Sequence, residues 1–303
     1  PVFLALSGGM DSRLMLECVA SQPEWRSRVT AIYVNHGLNP DADGWQLECQ
    51  RYCEDAGVSF VAQTVTLEYT GRGIEAAARD ARYTAFEQRL PDDALLLTAH
   101  HGSDQAETLL LRLFRGSGLT GLSGMPARRK LTRDPEDQRT IVRPWLAFTR
   151  EQLALAARGL SWIEDDSNRD QTFDRNWVRH TLMPSLQVRY PAVESTLIDT
   201  THHLSADYQL LLELLTPISD AALSECDWPA TAPFCLSVEA LLDQPERMRF
   251  HMVRHWLTKN GLPLPQGKKV WHWLDQALNA AADRQPSTRF DGVVFQRFRQ
   301  HLY

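Results

Sequence analysis

Residues 1–16 read PVFLALSGGMDSRLML, an apolar run that passes without pause into Ser-Gly-Gly-Met-Asp-Ser. Val2 to Leu6 have the pattern of a buried strand, since a brief apolar segment bounded by glycines suits the interior of a parallel sheet. Arg13 to Cys18 continue as the first turns of a helix, with Asp11 or Ser12 placed to cap it. Gly8 and Gly9 at such a strand-to-helix turn bare a row of backbone N–H groups, and the helix dipole adds positive partial charge there. The turn is therefore suited to phosphate, with a tight turn lacking any ligand as the plain alternative. Two common phosphate loops are excluded. A Walker loop needs Gly-Lys-Ser/Thr after its glycines, yet no lysine occurs in the first 100 residues. A dinucleotide fingerprint needs G-x-G-x-x-G, and here the glycines are adjacent.

Working outward, RVTAIYVNHGL reads as a second buried strand, DADGWQLECQRYCEDAG as a helix closed by glycine, and VSFVAQTVTL as a third strand. GIEAAARDARYTAFEQRL is a helix, DDALLLTAHH a fourth strand, DQAETLLLRLFRGSG a helix and RTIVRPWL a fifth strand. Strands alternating with helices at this spacing predict an α/β fold with a doubly wound, parallel, five-stranded sheet. Ligands of such sheets bind beyond the carboxyl ends of the strands, where SGGMDS, NHG and AHHGSDQAET all fall. From Thr149 the pattern turns helical, through TREQLALAARG and DRNWVRHTLMPSLQVRY. The expected organisation is a sheet domain over 1–190, a long linking helix over 191–218, and a smaller, mainly helical domain over 219–303 that ends in strands.

Composition sets limits. Hydrophobic content of 43% and charged content of 23% describe an ordinary globular chain. No run approaches the roughly 18 apolar residues of a membrane span, and no signal-peptide pattern is visible. The expectation is a cytoplasmic protein with no membrane partner. The five cysteines form no C-x-x-C pair and no zinc spacing, so they read as thiols of a reducing compartment. The chain starts inside a strand without Met, which leads to the expectation of a trimmed N-terminus. The net charge of −6 is unevenly spread. Residues 1–190 carry −3, residues 191–246 carry −10 with no basic side chain, and residues 247–303 carry +7. A basic, aromatic-bearing C-terminal segment fits a polyanion-binding lobe, with Lys268 and Lys269 as candidate contacts; a solvated helical face is the alternative.

Three stretches carry side chains suited to chemistry. In the helix opening near Ser103, Asp104 and Glu107 stand at i and i+3 on one face of the first turn. They either compensate the dipole or, facing the phosphate turn, hold a cation or amine. Arg112 and Arg115 follow on later turns, Arg115 being either a C-terminal dipole partner or a ligand contact. His100 and His101 are adjacent on a predicted strand, so at most one is expected to face the site. In WIEDDSNRDQTFDRNWVRHTLMP, Glu164, Asp165 and Asp166 precede a turn, and Arg175, Asn176 and Arg179 share a helix. The acids and arginines either pair with one another or meet a ligand.

SGGMDS resembles the pyrophosphate loop of ATP-pyrophosphatase enzymes. That resemblance implies that Ser7, Gly8, Gly9 and Ser12, with Met10 and His36, bind ATP, and that Asp11 helps hold Mg²⁺. SGGMDS, NHGL, GIEAAARDARY, AHHGSDQAET, RGSGLTGL and WIEDDSNRDQTFDRNWVRHTLMP occur in the order seen in bacterial tRNA(Ile)-lysidine synthetases. The similarity is dense over 1–190 and only outlines the helices beyond. It implies a two-step ligation: ATP adenylates the C2 oxygen of the wobble cytidine in the CAU-anticodon tRNA(Ile), and the side-chain amine of free L-lysine then displaces AMP. Lysidine pairs with A rather than G, so codon recognition moves from AUG to AUA. Asp104 and Glu107 would bind the lysine ammonium and Asp11, Asp104 and Glu107 would serve catalysis, one of the last two or a water taking the amine's proton. Arg79, Arg82, Arg112, Arg115, Arg175, Asn176, Arg179, Lys268 and Lys269 are candidate phosphate or tRNA contacts. A homodimer is a candidate assembly.

Two departures stand out. The family commonly has an acidic or amide residue where this chain has Ser103, and its members often carry a further C-terminal domain, so the chain is expected to be a fragment or a short form. Rival readings are another pyrophosphate-loop enzyme, such as a tRNA thiolase or an amidotransferase-type synthetase, or a tRNA-binding homologue weakened in catalysis. The Cys49–Cys53 spacing bears on the thiolase reading, and the intact loop on the last.

Overall fold

A computed structural model describes residues 1–67, 73–226, 232–262, 264, 268–281, 284–290 and 292–303. They form two compact units, residues 1–132 with 137–208, and residues 133–136 with 209–303.

The larger unit begins with β1 (Val2–Ala5), α1 (Met10–Ala20), α2 (Pro23–Arg26), β2 (Val29–Asn35), α3 (Ala42–Ala56) and β3 (Ser59–Thr64). It continues with α4 (Ile74–Arg89), β4 (Leu95–Leu97), α5 (Gly102–Phe114), α6 (Leu119–Leu122), β5 (Arg128–Lys130), β6 (Thr140–Val142) and α7 (Arg150–Ala156). The strand order is β3-β2-β1-β4-β6-β5. The first five are parallel, as the alternating pattern predicts, and β5 adds an antiparallel edge paired with β6. That sixth strand, Arg-Arg-Lys, has no apolar alternation to reveal it. Pairing with β6 makes it a strand.

Side chains of β1 alternate between two cores. Leu4 and Leu6 pack with Leu16 of α1 and with Cys49, Tyr52 and Cys53 of α3. Phe3 and Ala5 face the other way, toward Phe86 and Leu90 of α4. Fully burying one such leucine contributes about 1.5–3 kcal/mol. Chain order reverses at β1, since β2 lies on one side of it and β4 on the other. The crevice at such a reversal is where ligands of doubly wound sheets bind. The turns after β1 and β4 both open into it.

After α7 come a 3₁₀ turn (Asp166–Arg169), α8 (Asp174–Trp177), a π turn (Val178–Leu182) and α9 (Met183–Arg189). Helix α10 (Val193–Ala221) follows, where the long helix was expected, and the division between the units falls within it.

The smaller unit holds β7 (Leu223–Glu225), β8 (Phe234–Ser237), α11 (Val238–Leu242), α12 (Glu246–Lys259), α13 (Lys268–Asn279), β9 (Ser287–Phe290), β10 (Val293–Phe298) and β11 (His301–Leu302). Its strands form an antiparallel sheet ordered β7-β8-β11-β10-β9. Helices outweigh strands, yet both meet in one core around Trp256, Trp273, Leu236 and Leu302. Trp256 is fully buried and its indole N–H donates to the Phe234 carbonyl at 2.8 Å.

Gly102 sets the position of α5. A Cβ there would lie 2.6 Å from Ile198 Cδ1 and 2.9 Å from the Phe148 carbonyl oxygen, which the Gly102 N–H meets at 2.6 Å. Gly102→Ala should therefore overpack this junction, destabilising the larger unit by about 1–3 kcal/mol. A thermal melt should show its transition lowered by several degrees; an unchanged midpoint would mean that α5 can shift freely.

Candidate active site

The turn after β1 depends on Gly8. Its φ of +83° is left-handed, and an added Cβ would meet Ile163 Cδ1 at 2.3 Å, so glycine is required twice over. The Ile163 N–H also donates to the Gly8 carbonyl at 2.9 Å. Helix α1 starts at Met10, earlier than expected, and neither Asp11 nor Ser12 caps it; the cap position is Gly9, with no side-chain hydrogen bond. Ser12 instead donates to the Gly9 carbonyl at 3.1 Å and accepts from the Ser7 N–H at 3.1 Å. A helix N-terminus with no side-chain cap keeps its donors for a ligand.

A cavity of about 340 Å³ lies beyond the carboxyl ends of β1, β2 and β4, within the size range of ligand pockets. The expected residues Ser7, Gly9, Asp11, Ser12, His36, Arg79, Arg82 and Asp104 line it. Gly8 lies behind, against Ile163 and Cys49. The Met10 side chain is a correction to the expected ATP contacts: it is buried with Leu14, Leu153 and Ala157, because the early helix start turns it into the core. Only its backbone remains for phosphate.

Asp11 has one carboxylate oxygen, Oδ1, buried and without a hydrogen-bond partner, and its Oδ2 lies 3.7 Å from His101 Nε2. An orphaned buried carboxylate oxygen on a phosphate turn fits a divalent cation, and Mg²⁺ is usually held by one or two carboxylates plus substrate phosphates. His36 is pushed down to about 4 by burial and then by Arg82, so it is neutral at physiological pH.

At most one of His100 and His101 is expected to face the site, and only His100 lines the cavity, though not through strand alternation. Strand β4 stops at Leu97, so its alternation does not extend to them. His100 lines the cavity, its Nδ1 3.0 Å from the Thr98 hydroxyl. Burial above all lowers it to about 4, with Asp104 raising it and Arg143, Arg175 and Arg79 lowering it. His101 is the N-cap of α5. Its Nδ1 accepts from the Asp104 N–H at 3.3 Å while Asp104 Oδ2 accepts from the His101 N–H at 3.1 Å.

Asp104 and Glu107 do share one face of α5, and Arg175 and Arg179 occupy that face. Arg175 donates to Glu107 Oε2 at 2.8 Å and to Asp104 Oδ1 at 2.7 Å. Arg179 donates to Glu107 Oε1 at 2.6 Å and to Asp104 Oδ1 at 3.2 Å. Glu107, with a side chain 4% exposed, is not part of the cavity wall. The expectation of two carboxylates facing a ligand is thus corrected for Glu107, and that of phosphate or tRNA contacts for Arg175 and Arg179, which are counter-ions. Burial alone would raise the Asp104 carboxyl, but Arg175, the two histidines and the His101 N–H hold it below its ordinary value. The pairing therefore stabilises the fold above the ordinary carboxylate range and is lost as pH falls through the lower folded-state value.

Other expected contacts are engaged locally. Arg112 donates to the Gly121 and Gly124 carbonyls at 2.7 and 2.8 Å. Arg115 pairs with exposed Asp174, and Asn176 donates to the Ser167 and Asp170 carbonyls. Only the backbone of Lys268 and Lys269 is described; their side chains lie outside the described residues. Two further cavity residues are Tyr83, which carried no assigned role in the sequence reading, and Asp165, read there as an acid that pairs with an arginine or meets a ligand. Their signal was proximity to motifs: Tyr83 closes GIEAAARDARY, and Asp165 sits in WIEDDSN.

A model of the PP-loop domain matches residues 1–186, and one of the TilS substrate binding domain matches residues 236–303. The tRNA(Ile)-lysidine synthase of Pectobacterium atrosepticum is 38% identical over 305 residues, covering all of this chain and 67% of that protein. The chain belongs to the tRNA(Ile)-lysidine synthase family. Family members named tRNA(Ile)-lysidine synthase from Coxiella burnetii (38% identical, 99% of this chain, 65% of that protein) and Vibrio atlanticus (35%, all of this chain, 67% of that protein) agree. The chain thus spans about two thirds of the length of these relatives. Among solved structures, the U34-tRNA thiolase NcsA from Methanococcus maripaludis has a TM-score of 0.50 at 18% identity, over 70% of this chain and 72% of that one. This is a likeness of fold. Cys49 and Cys53 are both buried in the core and pushed up to about 12, by burial above all. They are not nucleophiles at neutral pH.

Glu107→Gln leaves two guanidiniums facing a single carboxylate. Breaking a buried pair costs about 3–5 kcal/mol, and the partly exposed arginines place this one toward about 2–3. The melting temperature of the larger unit should fall by roughly 4–12 °C, with loss of the 174–189 helix docking seen by hydrogen exchange. A variant as stable as the parent would show that the four groups are not coupled.

Proposed function

We propose that the chain joins free lysine to C2 of the wobble cytidine of CAU-anticodon tRNA(Ile), using ATP and releasing AMP and pyrophosphate. The observation that carries this reading is the joining of an uncapped phosphate turn and a guarded carboxylate, Asp104, in one cavity. Membership of the tRNA(Ile)-lysidine synthase family supports it, and nothing favours thiolation, amidotransfer or loss of catalysis.

In the first step the C2 oxygen attacks the α-phosphorus of ATP and pyrophosphate leaves. The backbone N–H groups at the start of α1, with Ser7 and Ser12, receive the leaving phosphates. Asp11 is the residue placed to hold Mg²⁺, which when bound neutralises charge developing on those phosphates. In the second step the lysine side-chain amine attacks C2 and the C2–O bond breaks, releasing AMP. Asp104 supplies the carboxylate at the cavity wall that meets the ammonium, with Asp165 on the same wall. Glu107 acts through the arginines, fixing them so that Asp104 keeps its position. The amine must lose a proton before attack, and Asp104 or a water takes it.

The smaller unit supplies the tRNA-binding lobe in this reading, consistent with its match to a substrate binding domain. No helix among the described residues is long and apolar enough to cross a membrane. We place the enzyme in the cytoplasm, where its tRNA is.

The direct test is mass spectrometry of CAU-anticodon tRNA(Ile) incubated with the protein, ATP, Mg²⁺ and isotope-labelled lysine. A label on the wobble cytidine is expected; recovery of unmodified tRNA would overturn the assignment. Asp11→Ala should lower AMP formation by about 100-fold or more with an unchanged melting temperature, as removal of transition-state charge stabilisation does. Near-parental turnover at saturating Mg²⁺ would refute the metal role. Asp104→Asn should weaken lysine binding by on the order of 2–3 kcal/mol, seen as a raised lysine KM with adenylated tRNA accumulating. An unchanged lysine KM would place the ammonium elsewhere.

A further inference from the structure

The cavity wall opposite the phosphate turn carries positive charge that the steps above do not use. Tyr83 of α4 lies on that wall with Arg79, and the guanidiniums of Arg79 and Arg129 each stand 5.0 Å from its ring centroid. Arg143, which follows β6, is 3% exposed; its Nη1 donates to the Pro126 carbonyl at 2.7 Å and its Nε is buried without a partner. Arg129 Nη1 donates to the Lys130 and Leu131 carbonyls at 2.8 and 3.1 Å, neutral partners that leave its charge uncompensated. The arginines feel one another instead. Burial, with Arg129 and Arg79 adding to it against Tyr83, lowers Arg143 to about 10, and Arg79 lowers the half-buried Arg112 further. Despite burial, the surrounding arginines pull the Tyr83 phenol below its ordinary value.

Like charges gathered with no carboxylate partner among the described residues repel one another, and an anion relieves them. Arg129 and Arg143 come from β5 and the end of β6, far in sequence from the phosphate turn. Sheet geometry separates the two sites. The turn leads into α1, on the face covered by Leu4 and Leu6, whereas Tyr83 packs with Phe3, Ala5 and Phe86 on the other. Arg79 lines the cavity that the phosphate turn also lines, whereas Arg129 and Arg143 are not part of its wall. Planar guanidinium forks suit phosphate oxygens, and the Tyr83 ring holds two of them in place by cation–π contact.

We propose that Arg79, Arg129 and Arg143, assembled around Tyr83, form a second phosphate site that takes a backbone phosphodiester of the nucleic-acid substrate beside the reacting nucleotide. Arg79 and Arg129 make the contacts; Arg143 is a fixed charge beneath them. This rests on the tRNA reading above. The site positions the substrate strand and reads no base.

The test compares the parent chain with Arg129→Gln and Arg129→Lys, measuring affinity for CAU-anticodon tRNA(Ile) across a salt series and, separately, affinity for ATP. Arg129 is chosen because the more deeply buried Arg143 carries a greater risk of misfolding. Arg129→Gln should bind tRNA roughly 5- to 10-fold more weakly, with the slope of log affinity against log salt reduced by about 0.7–0.9, the value for one phosphate contact. Arg129→Lys should recover most of that affinity, and ATP affinity should stay within about twofold of the parent. An unchanged slope in Arg129→Gln, or a parallel loss of ATP affinity, would overturn the proposal, the latter by assigning the cluster to the nucleotide's own phosphates. Failure of the parent itself to bind this tRNA would instead refute the tRNA reading.

Discussion

The larger unit depends on four charges brought together, Asp104 and Glu107 from α5 with Arg175 and Arg179 from the 174–189 helix. Asp104 stands in the first turn of α5, where the helix dipole favours it, and Glu107 follows one turn later; burying both without partners would be strongly unfavourable. The arginines satisfy both and draw their helix onto α5, where Val178 and Met183 meet Ala106 and Leu110. That docking fixes the preceding segment, whose Ile163 closes over Gly8 and whose Asp165 lines the cavity. Buried ion pairs contribute little net stability against apolar replacements. Their effect here is to specify where the wall of the site stands.

Electrostatics divides that site into unlike halves. The phosphate turn offers backbone donors and an acid with one unpartnered oxygen, the combination that a metal–phosphate complex satisfies. The α4 side offers guanidiniums. Between them stand His36 and His100, which burial and neighbouring arginines hold neutral, so they act as hydrogen-bonding groups rather than charges. His101 bridges the halves, its Nε2 3.7 Å from Asp11 Oδ2 and 3.6 Å from Asp104 Oδ2.

The smaller unit shows how far formal charge overstates surface charge. Arg297 is buried and donates to the Ala277 and Ala280 carbonyls at 2.6 and 2.9 Å, closing the end of α13. Arg249 donates to the Gln244 and Leu242 carbonyls, and Lys259 pairs with Asp220. Part of the +7 of residues 247–303 is therefore engaged within the unit, Arg297 in its interior and Lys259 in an exposed pair. Arg254 lies over Phe250, which stacks on Trp271 at 4.0 Å between centroids, a basic aromatic surface of the kind that nucleic-acid binders use.

The sequence by itself determined the parallel sheet, the glycine turn after β1 and the end of the sheet at which the cavity opens. Apolar periodicity, glycine spacing and helix-start signals act within a few residues and survive in a linear reading. It also put Asp104 and Glu107 on one helical face, because i and i+3 are neighbours whatever the tertiary context. Tertiary structure alone decided what meets that face. The partners of Glu107 lie 68 and 72 residues away, and no local pattern distinguishes a carboxylate awaiting a ligand from one already paired. The same holds for β5, a basic triplet made into a strand by its neighbour, and for Arg129 and Arg143, joined to Tyr83 only by the folding of β5 and β6 beside α4. Local spacing fixes which face a side chain occupies; long-range packing fixes which charges end up together, and whether any remain for a substrate.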